Sequence, residues 1–192
     1  MCTEIEAKLK VDSHKEINSK LAELGAEFLE ERLQMDYYFD DVNATLTRDD
    51  KCLRLRRQRV GGSERYFLTY KGAREKNEFK KRQEIEIEVG DVGSAEKLLS
   101  ALGYEKVLVF EKKRRNWRLG ECVVALDALP LLGSFVEIEG PDEKRIADAQ
   151  RNLGLTNVPH IGESYAYLMD EKLKELGVEE REVFFESPRS QL

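Results

Sequence analysis

Charged and apolar side chains alternate with a period of two in stretch after stretch of this chain, and that parity constrains the fold more than any other feature. From Thr3 to Val11, Glu4, Glu6 and Lys8 oppose Ile5, Ala7 and Leu9. From Cys52 to Arg57, Arg54 and Arg56 oppose Leu53 and Leu55. Glu84, Glu86 and Glu88 oppose Ile85, Ile87 and Val89 between Arg82 and Val89, and Glu137 and Glu139 oppose Val136 and Ile138 between Phe135 and Glu139. Tyr37–Asp40, Tyr66–Lys71, Val107–Leu119 and Cys122–Asp127 read as further strands, the third less cleanly alternating. About eight strands suit one sheet or barrel.

Four helices are predicted from their end signals. Ser13 and Glu16 make a capping box before Ile17, Leu21 and Leu24, with Gly25 at the stop. Ser94 caps a second helix that ends at Gly103, and Asp142 a third that ends at Gly154. A fourth runs from about Ser164 to Gly177, and residues 178–192 lose the pattern and are expected to be a flexible tail behind a domain spanning 1–177. Glu-Ile-Glu recurs at 4–6, 84–86 and 137–139, each time before a helix that stops at Leu-Gly, so a strand–helix unit repeats at irregular spacing.

Composition removes several function classes. The net charge is -6, which disfavours general binding to nucleic acid, where cations must neutralise phosphates. No apolar run reaches the ~20 residues of a membrane span, and the first residues carry no secretory leader pattern. Cys2, Cys52 and Cys122 are scattered, which suits a reducing cytoplasm rather than a disulfide scaffold or a zinc ribbon. His14 and His160 are the only histidines, so catalysis falls to carboxylates, lysines and arginines.

The charge is also segregated. Residues 48 to 82 hold 13 basic side chains and five acidic ones, a net of +8, leaving -14 for the rest. Acidic and basic strands are therefore separate stretches, and their charged faces either all point to water or all face one another. The second arrangement requires a closed barrel with apolar residues outward beneath amphipathic helices and a charged, wet interior. Such an interior is tolerable where opposite charges meet or ligands fill it. Carboxylates bind Mg²⁺ or Mn²⁺ through oxygen, while Arg and Lys grip phosphate oxygens, and a metal–polyphosphate complex needs both sets.

Glu4-Ile5-Glu6-Ala7-Lys8 resembles the ExExK signature of the CYTH superfamily, the triphosphate tunnel metalloenzymes. Leu53-Arg54-Leu55-Arg56, Leu68-Thr69-Tyr70-Lys71-Gly72, Glu84-Ile85-Glu86-Ile87-Glu88, Lys112-Lys113-Arg114, Leu126-Asp127-Ala128-Leu129-Pro130 and Gly133 through Glu139 resemble further blocks of that family, in its order. Ser164-Tyr165 before an apolar helix is similar to its class IV adenylyl cyclase branch, and thiamine triphosphatase and inorganic triphosphatase are relatives.

The resemblance implies an α+β single domain, an eight-stranded antiparallel β-barrel with helices packed outside. It implies metal-site carboxylates at Glu4, Glu6, Glu137 and Glu139, and a phosphate grip by Arg54, Arg56, Lys71, Lys112 and Arg114. Lys8, Glu86 and Asp127 take catalytic places: Lys8 contacts phosphate or positions the attacking oxygen, and the two acids contact metal-bound water or neighbouring cations. Glu84, Glu88 and Arg82 share the parity but suit plain salt bridges equally well. The implied activity is divalent-metal-dependent conversion of ATP to cyclic AMP and pyrophosphate. A triphosphatase acting on tripolyphosphate, thiamine triphosphate or a nucleotide, and a non-catalytic polyphosphate-binding module, are the alternatives. The expected partner is a small triphosphate, with neither nucleic acid nor membrane, and a homodimer is compatible with the chain.

Overall fold

The computed structural model describes the backbone of residues 2–74 and 80–185 and the side chains of 5–74 and 82–185. Eight strands carry the alternating segments: β1 (Cys2–Val11), β2 (Glu27–Asp40), β3 (Cys52–Val60), β4 (Ser63–Lys71), β5 (Lys80–Val89), β6 (Glu105–Leu119), β7 (Cys122–Leu129) and β8 (Gly133–Glu139). They pair antiparallel in the order β2-β3-β4-β5-β1-β8-β7-β6. The ring closes because β2 also pairs with β6, from Glu27 opposite Arg118 to Asp40 opposite Glu105. Between β3 and β4 the turn is Gly61-Gly62, both at positive φ, which is the two-residue hairpin geometry that side chains other than glycine strain to adopt.

The outward faces are apolar and lie beneath helices α1 (Lys15–Glu23), α3 (Val92–Ala101) and α4 (Glu143–Asn152). Ala7, Leu9, Val124, Leu126, Val136 and Ile138 from the strands pack against Ile17, Leu21, Ile146 and Leu153. Leu55 and Phe39 pack against Ala95 and Leu99 of α3. Burying these outer faces leaves the polar faces only the barrel interior, which is why Lys8, Asp36, Arg56, Lys112 and Asp127 are buried. Towards one end the interior faces turn apolar. There Leu108, Phe110, Leu129 and Phe135 meet Tyr165, Met169 and Leu173 of α5 (Tyr165–Glu175), which seals that part of the barrel.

Several local expectations are corrected. The Ser13–Glu16 capping box does not form: His14 is the N-cap, without a side-chain cap bond, and its Nε2 donates to the Phe135 carbonyl at 2.9 Å. Asp91, not Ser94, caps α3, accepting from the Ser94 backbone N–H at 2.7 Å. Asp142 and Ser164 cap α4 and α5 as their sequences predict. A short helix α2 (Thr45–Arg48) follows β2, tied down by buried Asp40, which accepts from Leu46 N, Thr47 N and Thr47 Oγ1. Of the tail expected over 178–192, β9 (Glu182–Val183) runs parallel to β6 with Val183 buried beside α5, and residues 186–192 lie outside the described residues. No helix among the described residues is long and apolar enough to cross a membrane.

Candidate functional site

Alternation along seven strands, with α5 behind them, encloses a cavity of about 120 Å³ in the barrel. Seven cationic side chains line it: Lys8, Arg54, Arg56, Lys71, Arg82, Lys112 and Arg114. Four carboxylates accompany them: Glu6, Glu84, Glu86 and Glu137. The lining thus holds more positive than negative charge, and a low-dielectric enclosure strengthens its pull on an anion.

The cations are braced from behind by two acids. Asp36 on β2 receives Arg56 Nε at 2.6 Å and Arg56 Nη2 at 2.7 Å, with Arg54 3.9 Å away. Burial would raise its carboxyl, but the Arg56 and Arg54 guanidinium groups outweigh burial and hold it well below the usual carboxylate range. Asp127 on β7 is wholly buried and receives Arg114 Nε at 2.7 Å, Arg114 Nη2, the Tyr165 hydroxyl at 2.9 Å and Lys112 Nζ at 3.4 Å. Here too burial is outweighed, by Arg114 and then Lys112, so the carboxylate stays charged.

Lys112 is the exception among the cations. Burial, and then the Arg114 guanidinium beside it, push its amine down to about 7 despite the attraction of Asp127. Arg114 remains charged, because Asp127 and Glu137 more than offset burial. Tyr165 keeps its proton, since burial and then Asp127 and Glu137 raise its hydroxyl well above the usual tyrosine range.

The β1 motif contributes from the opposite wall. Lys8 Nζ donates to the Glu163 carbonyl at 2.9 Å, lies 3.4 Å from Glu137 Oε1 and sits 4.1 Å above the Tyr165 ring. Glu137 is also bound by Arg114 Nη2. On the β4–β5 wall Lys71 pairs with Glu84 at 2.8 Å, and Thr69 Oγ1 donates to Glu86 at 2.8 Å. Two N–H groups here are buried without a hydrogen-bond partner among the described residues, Arg54 Nε and Arg82 Nε. Leaving such donors unmade costs ~1–3 kcal/mol each, so an anionic ligand that accepts from them would recover that energy.

Of the residues singled out from sequence, Lys8, Glu86, Arg54, Arg56, Lys71, Lys112, Arg114, Glu6 and Glu137 meet at this cavity. Asp127 is not among the lining residues: its carboxylate receives Arg114, Lys112 and the Tyr165 hydroxyl, which is the contact with neighbouring cations that was one of the two places the resemblance implied for it. Glu139 lies at the exposed end of β8, opposite Glu6 in register and outside the cavity lining. The Glu4 side chain lies outside the described residues, although its backbone pairs with Arg82 on β5. Asp36 and Tyr38 were missed, and Tyr165 was noted only within the Ser164-Tyr165 likeness without a place in the site; the even parity that marks Arg54 and Arg56 also runs through Asp36 and Tyr38, one strand over.

The donors that a divalent cation would meet here are all oxygens. Among the described residues no three acidic, histidine or cysteine side chains are grouped closely enough to hold a metal ion, and Glu137 is engaged by Arg114 and Lys8. Glu6 and Glu139 stand opposite each other in register across β1 and β8, and both carry the oxygen donors that hard divalent cations take. The donor type therefore suits a hard divalent cation, although the described carboxylates form no ready cluster for one.

A family model described as the CYTH domain matches residues 3–165. Adenylate cyclase CyaB of Aeromonas hydrophila is 27% identical over 180 residues, covering 88% of this chain and 90% of that protein. The structure of PH1819 from Pyrococcus horikoshii OT3 is similar with a TM-score of 0.76 and 31% identity, covering 88% of this chain and 99% of that one. HpAC1 from Hippeastrum, described as having a dominant triphosphatase activity, shares the fold with a TM-score of 0.71 at 18% identity, covering 88% of this chain and 95% of that one. The family match over most of the chain, and the closed barrel with charge turned inward, make this protein a member of the CYTH domain family.

Proposed function

We propose that the chain is a divalent-metal-dependent enzyme that binds a triphosphate inside the barrel and, with ATP, forms cyclic AMP and pyrophosphate. The observation that carries this reading is the cavity itself, where seven cations outnumber four carboxylates and two guanidinium N–H groups await an acceptor. Arg54, Arg56, Lys71 and Arg114 hold the phosphate oxygens, with Arg82 beside them. Asp36 and Asp127 keep the guanidinium groups of Arg56 and Arg114 aimed, which makes Asp127 a positioning residue.

Glu4, Glu6, Glu137 and Glu139 supply the carboxylates for Mg²⁺ or Mn²⁺, which when bound would neutralise phosphate oxygens and polarise the phosphorus under attack. In the cyclase reaction the ribose 3′-oxygen bonds to the α-phosphorus. The bond from that phosphorus to the bridging oxygen breaks, and pyrophosphate leaves. The hydroxyl proton needs an acceptor at neutral pH, and Lys112 Nζ, lowered to about 7 by burial and lining the cavity, has a neutral fraction that can take it. Lys8, fixed by Glu163 and Glu137, orients the attacking oxygen or a phosphate.

Hydrolysis of the terminal phosphate is the second reading. It is favoured by the cavity lining, which grips phosphate whatever the third group is, and by the kinship of fold with HpAC1. Fold and phosphate site do not dictate the nucleophile. Purified protein is incubated with Mg²⁺ or Mn²⁺ and either ATP or tripolyphosphate, and the products are resolved by chromatography. Cyclic AMP with pyrophosphate is the expected result. Orthophosphate alone assigns the triphosphatase, and binding without any product reduces the protein to a polyphosphate-binding module.

A further inference from the structure

Tyr165, the first residue of α5, is buried in the cavity wall, and two lysines from separate strands converge on its ring. Lys8 Nζ of β1 lies over the ring 4.1 Å from its centroid, and Lys112 Nζ of β6 lies 5.0 Å from it. Both lysines are almost wholly buried. The ion pairs that they make with Glu137 and Asp127 are long, 3.4 Å each. The electron-rich face of an aromatic ring attracts ammonium groups, and more strongly once water is removed. This ring is also held in place. Its hydroxyl donates to Asp127 at 2.9 Å, Phe135 packs T-shaped against it with centroids 5.1 Å apart, and Ser164 caps the helix by accepting from the Tyr167 N–H at 3.1 Å.

With its proton given to Asp127, the Tyr165 hydroxyl has none to donate to a ligand, so its effect on the reaction passes through its neighbours. Two ammonium groups brought into one enclosure repel each other, and that repulsion is strong where the dielectric is low. A ring that attracts both offsets it and keeps two cations where a polyphosphate would meet them. The segment before α5 reinforces the Lys8 side: Ile161 N donates to the Lys8 carbonyl at 2.8 Å, and Lys8 Nζ donates to the Glu163 carbonyl at 2.9 Å. Resting on the triphosphate reading above, we propose that Tyr165 is a positioning residue whose ring, anchored through its hydroxyl on Asp127, gathers the ammonium groups of Lys8 and Lys112 against the phosphate-binding space.

The test separates the charge of the ring face from its shape. Tyr165→Phe sets the reference, and the same position is then filled with singly, triply and fully fluorinated phenylalanine, which keep the ring while draining negative charge from its face. Tripolyphosphate binding with Mg²⁺ is measured by calorimetry at about pH 6, below the value of about 7 at which Lys112 sheds its proton. Affinity is expected to fall step by step along the series, by about tenfold or more in all, as two desolvated cation–π contacts are lost. A ring that merely packs gives a flat series, and affinity within about twofold between phenylalanine and its pentafluoro form would overturn the proposal. Should Tyr165→Phe fail to fold, singly and doubly fluorinated tyrosine at the same position, which keep the hydroxyl, are read in the same way. Wild type that binds tripolyphosphate beside a flat series refutes the positioning role and spares the phosphate site. Wild type that binds no tripolyphosphate refutes both.

Discussion

Replacing Asp127 with asparagine removes one charge and keeps the shape of the side chain, so it isolates what that carboxylate does. In the wild type it is fully buried and accepts from Arg114 twice, from Tyr165 and from Lys112. After the substitution Lys112 can shed its proton, but the Arg114 guanidinium stays charged and keeps only Glu137, having lost the carboxylate that receives its Nε and Nη2. Breaking a buried ion pair by removing one partner costs ~3–5 kcal/mol, because a charge is left uncompensated. Against a total stability of ~5–15 kcal/mol for a domain, that is a large fraction. With a urea m-value of about 2 kcal/mol per molar, the midpoint of unfolding should fall by roughly 2 M.

The same experiment has a pH signature. The Asp127 carboxyl is held below its ordinary value of 3.8, so its contribution is fully present above that value and is lost as pH falls through the folded one. The gap between wild type and Asp127→Asn should therefore be widest near neutrality and close as the solution is acidified below about pH 4. A polyanion that binds the folded protein should restore part of the loss, about 2.7 kcal/mol at a hundred times its Kd. A midpoint shift under about 0.5 M urea, or a gap that does not change with acid, would refute the argument that Asp127 braces the cations.

Three further outcomes are expected. Glu137→Gln should abolish turnover while triphosphate still binds weakly, measured by product chromatography beside calorimetry; full activity would remove Glu137 from the metal site. Lys112→Arg should flatten the pH dependence of triphosphate affinity: the wild-type amine, at about 7, loses its proton above neutrality and the anion then binds more weakly, whereas a guanidinium stays charged, so the affinity ratio of the two proteins should grow from pH 7 to 9 by up to ~10-fold per unit. Arg65→Ala, which breaks an exposed pair with Glu88, should change stability by no more than ~0.5 kcal/mol, while Arg56→Ala, which strands buried Asp36, should cost ~3–5 kcal/mol by urea titration.

The architecture was legible where the period of two was clean. Ile5, Ala7 and Leu9, and Val136 and Ile138, all lie under helices, and their charged neighbours Glu6, Lys8 and Glu137 turn inward. Outward Arg57 and Arg59 meet Glu64 at the surface, as their parity requires. Asp36 was overlooked although Arg32-Leu33-Gln34-Met35-Asp36-Tyr37 alternates, because the strand read from sequence starts at Tyr37, one residue past it, where two tyrosines and a phenylalanine hide the period. Tyr165 carries no strand parity at all, and its place beside Lys8 and Asp127 depends on how α5 packs over Phe110, Leu129 and Phe135. For Asp127, parity points inward but does not reveal that its carboxylate receives Arg114, Lys112 and the Tyr165 hydroxyl. The charges of Glu84 and Arg82 suited salt bridges and ligand contact alike; only their convergence on one cavity separates the two.

A crystal of the protein grown with Mn²⁺ and a non-cleavable triphosphate analogue tests the enclosed site most directly. Anomalous density for manganese should lie against Glu6 and Glu137, with phosphates in contact with Arg54, Arg56 and Arg114. Phosphates found instead on the outer surface, against Arg57, Arg59 or Arg65, with no density in the barrel, would contradict the account.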